Sequence, residues 1–497
     1  MVINMKWEEN VRKVVPYVAG EQPNRPNMIK LNTNECPYPP APGVRKAAEN
    51  MESAALRLYP NSNAQPLVDE LAAYYGVKPE QVFVGVGSDD VLSMAFLTFF
   101  NSGKPILFPD VTYSFYDVWA DLYRIPYHTC ALDENWHMNP EDYKQPNGGV
   151  IFPNPNAPTG VEESQAMIEE ILQANPDVVV IVDEAYVDFG GTSALPLLKK
   201  YENLLVVQTF SKSRAMAGMR IGFCIGNEKL IHYLNDVKFS FNSYTMNLPS
   251  QVMGVEAVRD DAYFKATTAK IAATRERIKK ELNELGFTFP DSKANFIFAS
   301  HKEVPAEELF RALREADIYV RHWNKPRIAN SLRITVGTDE EMDRLMIFLV
   351  SMVPLIELRG AVPIAVGMNL PLLPSYIICI LGNMLPVPII FFFARKVLEW
   401  GADKPVIGKF FTFCLEKGHK GGQKLQEKAG RGLFVALLLF VGIPLPGTGA
   451  WTGTLAASLL DMDFKSSVIA VMCGVVLAGV IMGLLSMGVF GALGTIF

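Results

Sequence analysis

Of 497 residues only six are cysteine, and Cys36, Cys130, Cys224, Cys379, Cys414 and Cys473 stand far apart. With no CxxC pair and no Cys/His cluster, neither a zinc site nor a disulfide framework is expected, and a reducing compartment suits the chain. None of the six histidines adjoins a second ligand-type pair, so no metal is expected. Positive charge is short as well. The net charge is −6 and no Lys/Arg-rich stripe precedes residue 395, which argues against a nucleic-acid partner. The opening "MVINMKWEENVRKVVPYVAG" lacks the apolar core and small-residue cleavage site of a signal peptide, so the amino-terminal half is expected in the cytoplasm. Long hydrophobic runs are also missing, but only as far as about residue 345.

Between about 80 and 225, short β-branched runs alternate with helical periodicity: "QVFVGVG", "KPILFP", "GGVIFPNP", "DVVVIVDEAY", "NLLVVQTFSK" and "RIGFCIG". Most are too uniformly apolar to have a wet face. Such strands belong in a mostly parallel sheet covered by helices on both sides. The stretch 252–286 reads as helix with Gly286 as its stop. "ANFIFAS", "IYVRHW" and "SLRITVG" then read as strands of a smaller α+β domain, with the helix "PAEELFRALREA" between the first two. Residues 1 to about 35, proline-rich and without periodicity, read as an arm.

Three of the strands end in polar residues, and ligands of an open parallel sheet collect at those carboxyl ends. "VFVGVGSDDVLSM" is a strand, a glycine turn and a helix start at Ser88, a cradle for a phosphate. "VVVIVDEAY" brings Asp183 and Tyr186; "LLVVQTFSKSRAMAGMR" brings Ser211, Lys212 and Arg220. Singly these fragments are weak. The glycine turn fails the dinucleotide fingerprint because Asp90 stands at its third glycine, and GxxxxGK[ST] occurs nowhere, so "VVVIVDE" is not the acidic strand of a P-loop enzyme. Taken together they describe the needs of pyridoxal 5'-phosphate: a phosphate seat, a carboxylate for the ring nitrogen, a phenol for the ring oxygen and a lysine for the Schiff base.

"LNTNECPYPP", "LYPNSNAQPLVDELAAYYGVKPEQVFVGVGSDD", "NPNAPTG", "VDEAYVDF", "SKSRAMAGMRIGF" and "LRITVGT" follow the order and spacing of histidinol-phosphate aminotransferases, which residues 5–348 resemble. The resemblance implies an α/β fold of the fold-type I pyridoxal-phosphate class, with a large mostly parallel-sheet domain and a small α+β domain. It implies a homodimer with the site at the subunit interface, and amino transfer between L-histidinol phosphate and 2-oxoglutarate (the glutamate couple) in histidine biosynthesis. By motif, Lys212 becomes the Schiff-base lysine and proton carrier, Asp183 the pyridinium partner and Tyr186 the ring-oxygen partner. Ser88, Asp89, Ser211 and Arg220 form the phosphate seat, Tyr113 stacks on the ring, and Tyr59 reaches the phosphate from the other subunit. Arg333 and Arg321 bind the anionic end of the substrate, with Tyr17 assisting; a planar guanidinium suits carboxylate and phosphate alike. Many relatives have Asn immediately before Pro-Thr-Gly, where this chain has Ala157. Either Asn156 substitutes there or Tyr186 holds the ring oxygen alone. Arg321 has a plainer reading as a solvated edge residue. A related aromatic-amino-acid aminotransferase, an amino-acid phosphate decarboxylase, or a transporter regulated by a cofactor-binding domain are the alternatives.

From 345 onward four apolar segments each reach the roughly 20 residues that cross a bilayer. Between the second and third, residues 395–431 carry nine Lys/Arg against four Asp/Glu, which puts that stretch in the cytoplasm. An even number of crossings then keeps both termini there. Glu357 and Arg359 fall inside the first segment, where charge is costly and a functional role is the default expectation. The plainer reading is an interfacial ion pair ahead of a span starting near Ala361. Prolines around them and in "GIPLPGTGAW" predict two re-entrant, broken hairpins facing each other in an all-α membrane domain. "ELRGAVPIA", "GNMLPVP", "EKGHKGG" and "GIPLPGTGAWTGTLAAS" resemble the small multidrug export family over about 349–497. The expected division is 1–35 arm, 36–248 cofactor-binding domain, 249–348 small domain and 349–497 membrane domain.

Overall fold

The computed structural model describes residues 6–351, 357–368, 370–388, 390–392, 432–445, 448–460 and 462–493. Seven strands form one sheet in the order Val82–Gly85, Gly222–Gly226, Leu204–Thr209, Val180–Asp183, Val150–Pro153, Ile106–Pro109 and Tyr127–Cys130. Gly222–Gly226 runs antiparallel to both neighbours and the remaining pairings are parallel. Alternate residues of one strand explain the uniform apolarity. Ile181 packs with the helices Ser88–Phe99 and Tyr116–Tyr123, while Val180 and Val182 pack on the opposite face against Gln165–Ala174. Side chains of period two thus feed two separate cores. The edge strand Tyr127–Cys130 escaped the sequence reading because its two middle residues are exposed.

A second, antiparallel sheet runs Arg321–His322, Leu332–Thr335, Phe296–His301, Phe287–Thr288. Two expectations change here. "IYVRHW" is not one strand: Ile318–Tyr319 pairs in parallel with Ile29–Lys30, and only Arg321–His322 joins this sheet. The amino-terminal stretch is therefore more than an arm, since it is hydrogen-bonded into the smaller half through Ile29–Lys30. The long helix is two, Leu248–Arg259 and Asp261–Glu284, because the Asp260 carboxylate accepts from Tyr263 N and caps the second.

Beyond residue 351 the described chain is helical. Leu372–Phe392 and Phe464–Gly488, with mean hydropathy 2.0 and 2.8, are the two described helices long and apolar enough to cross a membrane. The first apolar segment contributes the described helices Asp339–Ser351 and Glu357–Gly367, and the third is broken into Gly432–Gly442 and Ala450–Leu459. Small residues meet inside this bundle (Ala361, Ala365, Ala457, Ala470, Ala478), while Leu373, Phe392, Val480, Leu484 and Leu485 lie exposed. The helix Asp339–Ser351 serves both cores: Met346, Phe348 and Leu349 pack with the smaller sheet, Ile347 with the bundle. The basic stretch 395–431 falls outside the described residues.

Candidate active site

The parallel strands deliver their polar ends to one edge, where two adjoining cavities of about 530 and about 110 Å3 share Asp89, Tyr113, Ala157, Tyr186 and Lys212 in their walls. The smaller is the deeper part. Its wall includes Ser88, at the start of the helix Ser88–Phe99, with Ser211 and Arg220. A Cβ on Gly222 would lie 2.2 Å from Ser88 N, so only glycine in that strand lets the helix start sit against the sheet. Arg220 approaches Asp89 Oδ2 at 3.2 Å and Ser211 Oγ at 3.4 Å, and Tyr113 Oη donates to Asp89 Oδ1 at 2.7 Å. Backbone N–H groups, hydroxyls and one guanidinium make an anion seat.

Asp183 is buried at the floor. Tyr116 Oη donates to its Oδ2 at 2.9 Å and Ala185 N to its Oδ1 at 3.3 Å. Burial nevertheless pushes the carboxyl up to about 7, against the lowering effect of those two bonds. Such a group calls for a cation in front of it. Lys212 Nζ donates to Thr33 O at 2.9 Å, and burial followed by the positive charge of Arg333 lowers its amine to about 8. An amine brought that close to neutrality is a usable nucleophile. Lys212 Nζ lies 5.9 Å from the centre of the Tyr186 ring. The Tyr186 phenol is raised by burial and accepts a bond from Asn34 Nδ2 at 3.0 Å.

The larger cavity carries Arg321, Arg333 and Tyr17, the residues expected on the substrate side. Arg321 and Arg333 stand directly opposite each other on neighbouring strands. Like charges so placed repel unless an anion or an aromatic face offsets them. Trp323 does part of that, its ring centre 5.2 Å from Arg321 Cζ and 5.1 Å from Arg333 Cζ. Arg333 Nη2 donates to Asn32 O at 2.9 Å, while its Nε is buried with no partner. Tyr17 also lines this cavity, stacked on Phe115 at 4.1 Å.

Four expected residues lie elsewhere. Asn156 is committed to its own loop: Nδ2 donates to Val111 O at 3.0 Å and Thr159 Oγ1 at 3.1 Å, and Oδ1 accepts from Thr112 Oγ1. Ala157, not Asn156, lines both cavities, so the structure does not bring Asn156 together with the other residues expected around the cofactor. Tyr59 lines neither cavity and is 82% exposed against Tyr244. Glu357 and Arg359 belong to the helical bundle. Sequence reasoning missed Tyr116, which bonds Asp183, and the run Asn32–Thr33–Asn34. Those three successive residues hold Arg333, Lys212 and Tyr186 in turn. "LNTNE" was visible as a motif, but nothing in it announces partners 152 to 301 residues away.

In the bundle, Glu357 is 5% exposed with φ +47°. Its carboxylate accepts from Ala450 N and Trp451 N, both at 3.1 Å, at the start of Ala450–Leu459. Arg359 donates to Val441 O at 3.1 Å and Leu445 O at 2.7 Å, at the end of Gly432–Gly442. A Cβ on Gly449 (φ +146°) would fall 2.2 Å from Glu357 Oε2.

A lysine, a buried acid and an anion seat at the ends of a parallel sheet define an aminotransferase site, and residues 26–349 match the family "Aminotransferase class I and II". The chain belongs to that class, whose cofactor is pyridoxal 5'-phosphate; the buried Asp183 and the seat at Ser88 and Arg220 fit its ring nitrogen and its phosphate. Within the class it belongs to the histidinol-phosphate aminotransferase family. It is 52% identical over 345 residues to the histidinol-phosphate aminotransferase of Lactococcus lactis subsp. cremoris, covering 69% of this chain and 97% of that one. It is 51% identical over 339 residues to histidinol-phosphate aminotransferase 1 of Hydrogenovibrio crunogenus, covering 68% and 95%. The histidinol-phosphate aminotransferase of Sinorhizobium meliloti, solved with pyridoxal-5'-phosphate, has the same fold at TM-score 0.59 and 22% identity, over 64% of this chain and 89% of that one. Residues 357–481 match a second family, "Putative small multi-drug export protein".

Proposed function

We propose that the chain transfers an amino group between L-histidinol phosphate and 2-oxoglutarate, a step of histidine biosynthesis, from an enzyme half joined to a membrane half. The observation that carries it is the lysine of lowered basicity facing two arginines in register across one cavity. When bound, the cofactor supplies an aldehyde carbon and an electron-withdrawing ring. Lys212 Nζ serves as nucleophile and then carries the proton between the two carbons that exchange it. Asp183 holds the ring-nitrogen proton, Tyr186 faces the ring oxygen and Tyr113 covers the ring. Ser88, Asp89, Ser211 and Arg220 seat the phosphate. Arg333, with Arg321 and Tyr17, binds the phosphate of one substrate and the distal carboxylate of the other. Purified protein should transaminate histidinol phosphate at least about tenfold more efficiently than phenylalanine, the range that one lost charged hydrogen bond commands; equal efficiency would assign it to aromatic amino acids.

The enzyme half works as a homodimer in this reading. Tyr59 is supported as a residue of the partner's phosphate seat by its exposure together with Leu56, Leu58, Phe241 and Tyr244, an apolar group a second copy would cover. The division at 35, 248 and 348 is kept as part of this reading; the two separate sheets support it, while Ile29–Lys30 pairs across the first boundary and the helix Asp339–Ser351 spans the last. Residues 349–497 are read as a multi-pass membrane domain with its basic stretch and the enzyme half in the cytoplasm. The bundle's small residues inside and large apolar residues outside support lipid as its solvent. Gly432–Gly442 and Ala450–Leu459 form a re-entrant hairpin, and Glu357 and Arg359 clamp its two inner helix ends. Labelling of single cysteines placed at 443–449 and in 395–431 in sealed cells tests the topology.

A further inference from the structure

Asn34 is the one of the three successive holding residues whose side chain does the holding. It is 1% exposed, with φ +55°, and four hydrogen bonds fix it. Its backbone N donates to Thr335 Oγ1 at 3.0 Å, and its O accepts from Asn295 Nδ2 at 3.0 Å. Thr335 Oγ1 donates to Asn34 Oδ1 at 3.0 Å, and Asn34 Nδ2 donates to Tyr186 Oη at 3.0 Å. The directions are forced in sequence. A backbone N–H can only donate, so the Thr335 oxygen accepts it and the Thr335 proton must go to an acceptor. That acceptor is Asn34 Oδ1. The amide is thereby oriented with its NH2 toward Tyr186. The phenol oxygen, already accepting from the amide, has its own proton free to point elsewhere, and the cavity lies on that side.

We infer that Asn34 is a positioning residue that sets the direction of the Tyr186 hydroxyl, so that the phenol donates into the cofactor cavity. This rests on the reading of Tyr186 as the partner of the ring oxygen. A donor to that oxygen matters most when the neighbouring nitrogen has lost its proton and no longer shares the oxygen's charge. The donor therefore lowers the pH at which the yellow chromophore formed with Lys212 loses its proton. In Asn34→Asp the carboxylate keeps the Thr335 bond but can only accept, so it draws the phenol's proton away from the cavity. Arg333, Asp183, Tyr17, Tyr113, Tyr116 and Lys212 also face the phenol, and Glu35, Asp89, Arg220 and Arg333 face Lys212; all stay unchanged.

Absorbance against pH on the holoenzyme is the test. N34D and Y186F should each raise the midpoint by about 0.5–1 pH unit, the worth of one hydrogen bond. N34D should add little in a Y186F background. If Y186F leaves the midpoint in place, the reading of Tyr186 itself fails. If Y186F moves it and N34D does not, or if the N34D shift persists in full in Y186F, only the role of Asn34 is overturned. Should N34D not fold, T335V removes the hydroxyl that orients the amide. A smaller shift in the same direction supports the inference, and an unmoved midpoint overturns it.

Discussion

The two halves of the molecule bury charge in opposite ways. In the enzyme half, Asp183, Lys212 and Arg333 line the two cavities with hydrogen-bonding capacity left unspent: the Arg333 Nε is buried with no partner, and burial pushes Asp183 up to about 7. In the helical half, Glu357 and Arg359 spend their groups on the inner ends of two helices, where orphan N–H and C=O groups need partners. An open buried charge awaits a ligand, while a closed one stands in for missing backbone partners. The expectation that charge within an apolar segment is functional does not separate these cases; the partners do.

Breaking the open set should cost most. K212A is expected to lower amino transfer by at least about 10²–10⁴-fold and to abolish yellow absorbance and borohydride labelling; retained turnover would remove the nucleophile from the scheme. Next comes D183N in cofactor-free protein. The folded carboxyl titrates near 7, above its ordinary 3.8, so the folded state binds the extra proton between those values. Stability from this group is present at low pH and lost as pH rises through about 7. Thermal unfolding at pH 5 and 8 should show the parent losing stability relative to D183N, and parallel curves would contradict a carboxyl held for a cation.

The closed set sharpens the contrast. E357L leaves two helix N–H groups unpaired, at about 1–3 kcal/mol each, and should lower the unfolding temperature of the bundle in detergent while amino transfer stays unchanged. A stable E357L bundle would undo the clamp. The smallest split lies between the two arginines. R333L should cut kcat/KM by about 10–100-fold, the worth of one charged hydrogen bond, and R321L by less, because among the described residues the Arg321 side chain is held by one long hydrogen bond, to Val18 O at 3.5 Å. Equal losses would make the pair a single unit.

Central strands were legible in the sequence because a strand buried on both faces leaves an unbroken apolar run, as in Val180–Asp183. Tyr127–Cys130 was not, being half wet at the edge, and the break at Asp260 was hidden because helical periodicity continues through it. Of the site, the residues at strand ends could be read, since a strand carries its last side chains to the sheet edge. Asn34 and Tyr116 could not, because their partners lie 152 and 67 residues away in the chain.

Chemical capacity was already written in the order of residues: a lysine, an acid and a phenol following apolar strands, and an apolar excess in the last third. Direction and closure came with folding. It turned Asn156 into its loop, set Asn34 against Tyr186 and sealed Glu357 onto a helix start. The physical reason is that a hydrogen bond has a donor and an acceptor, and which role a side chain takes depends on neighbours that only folding brings near.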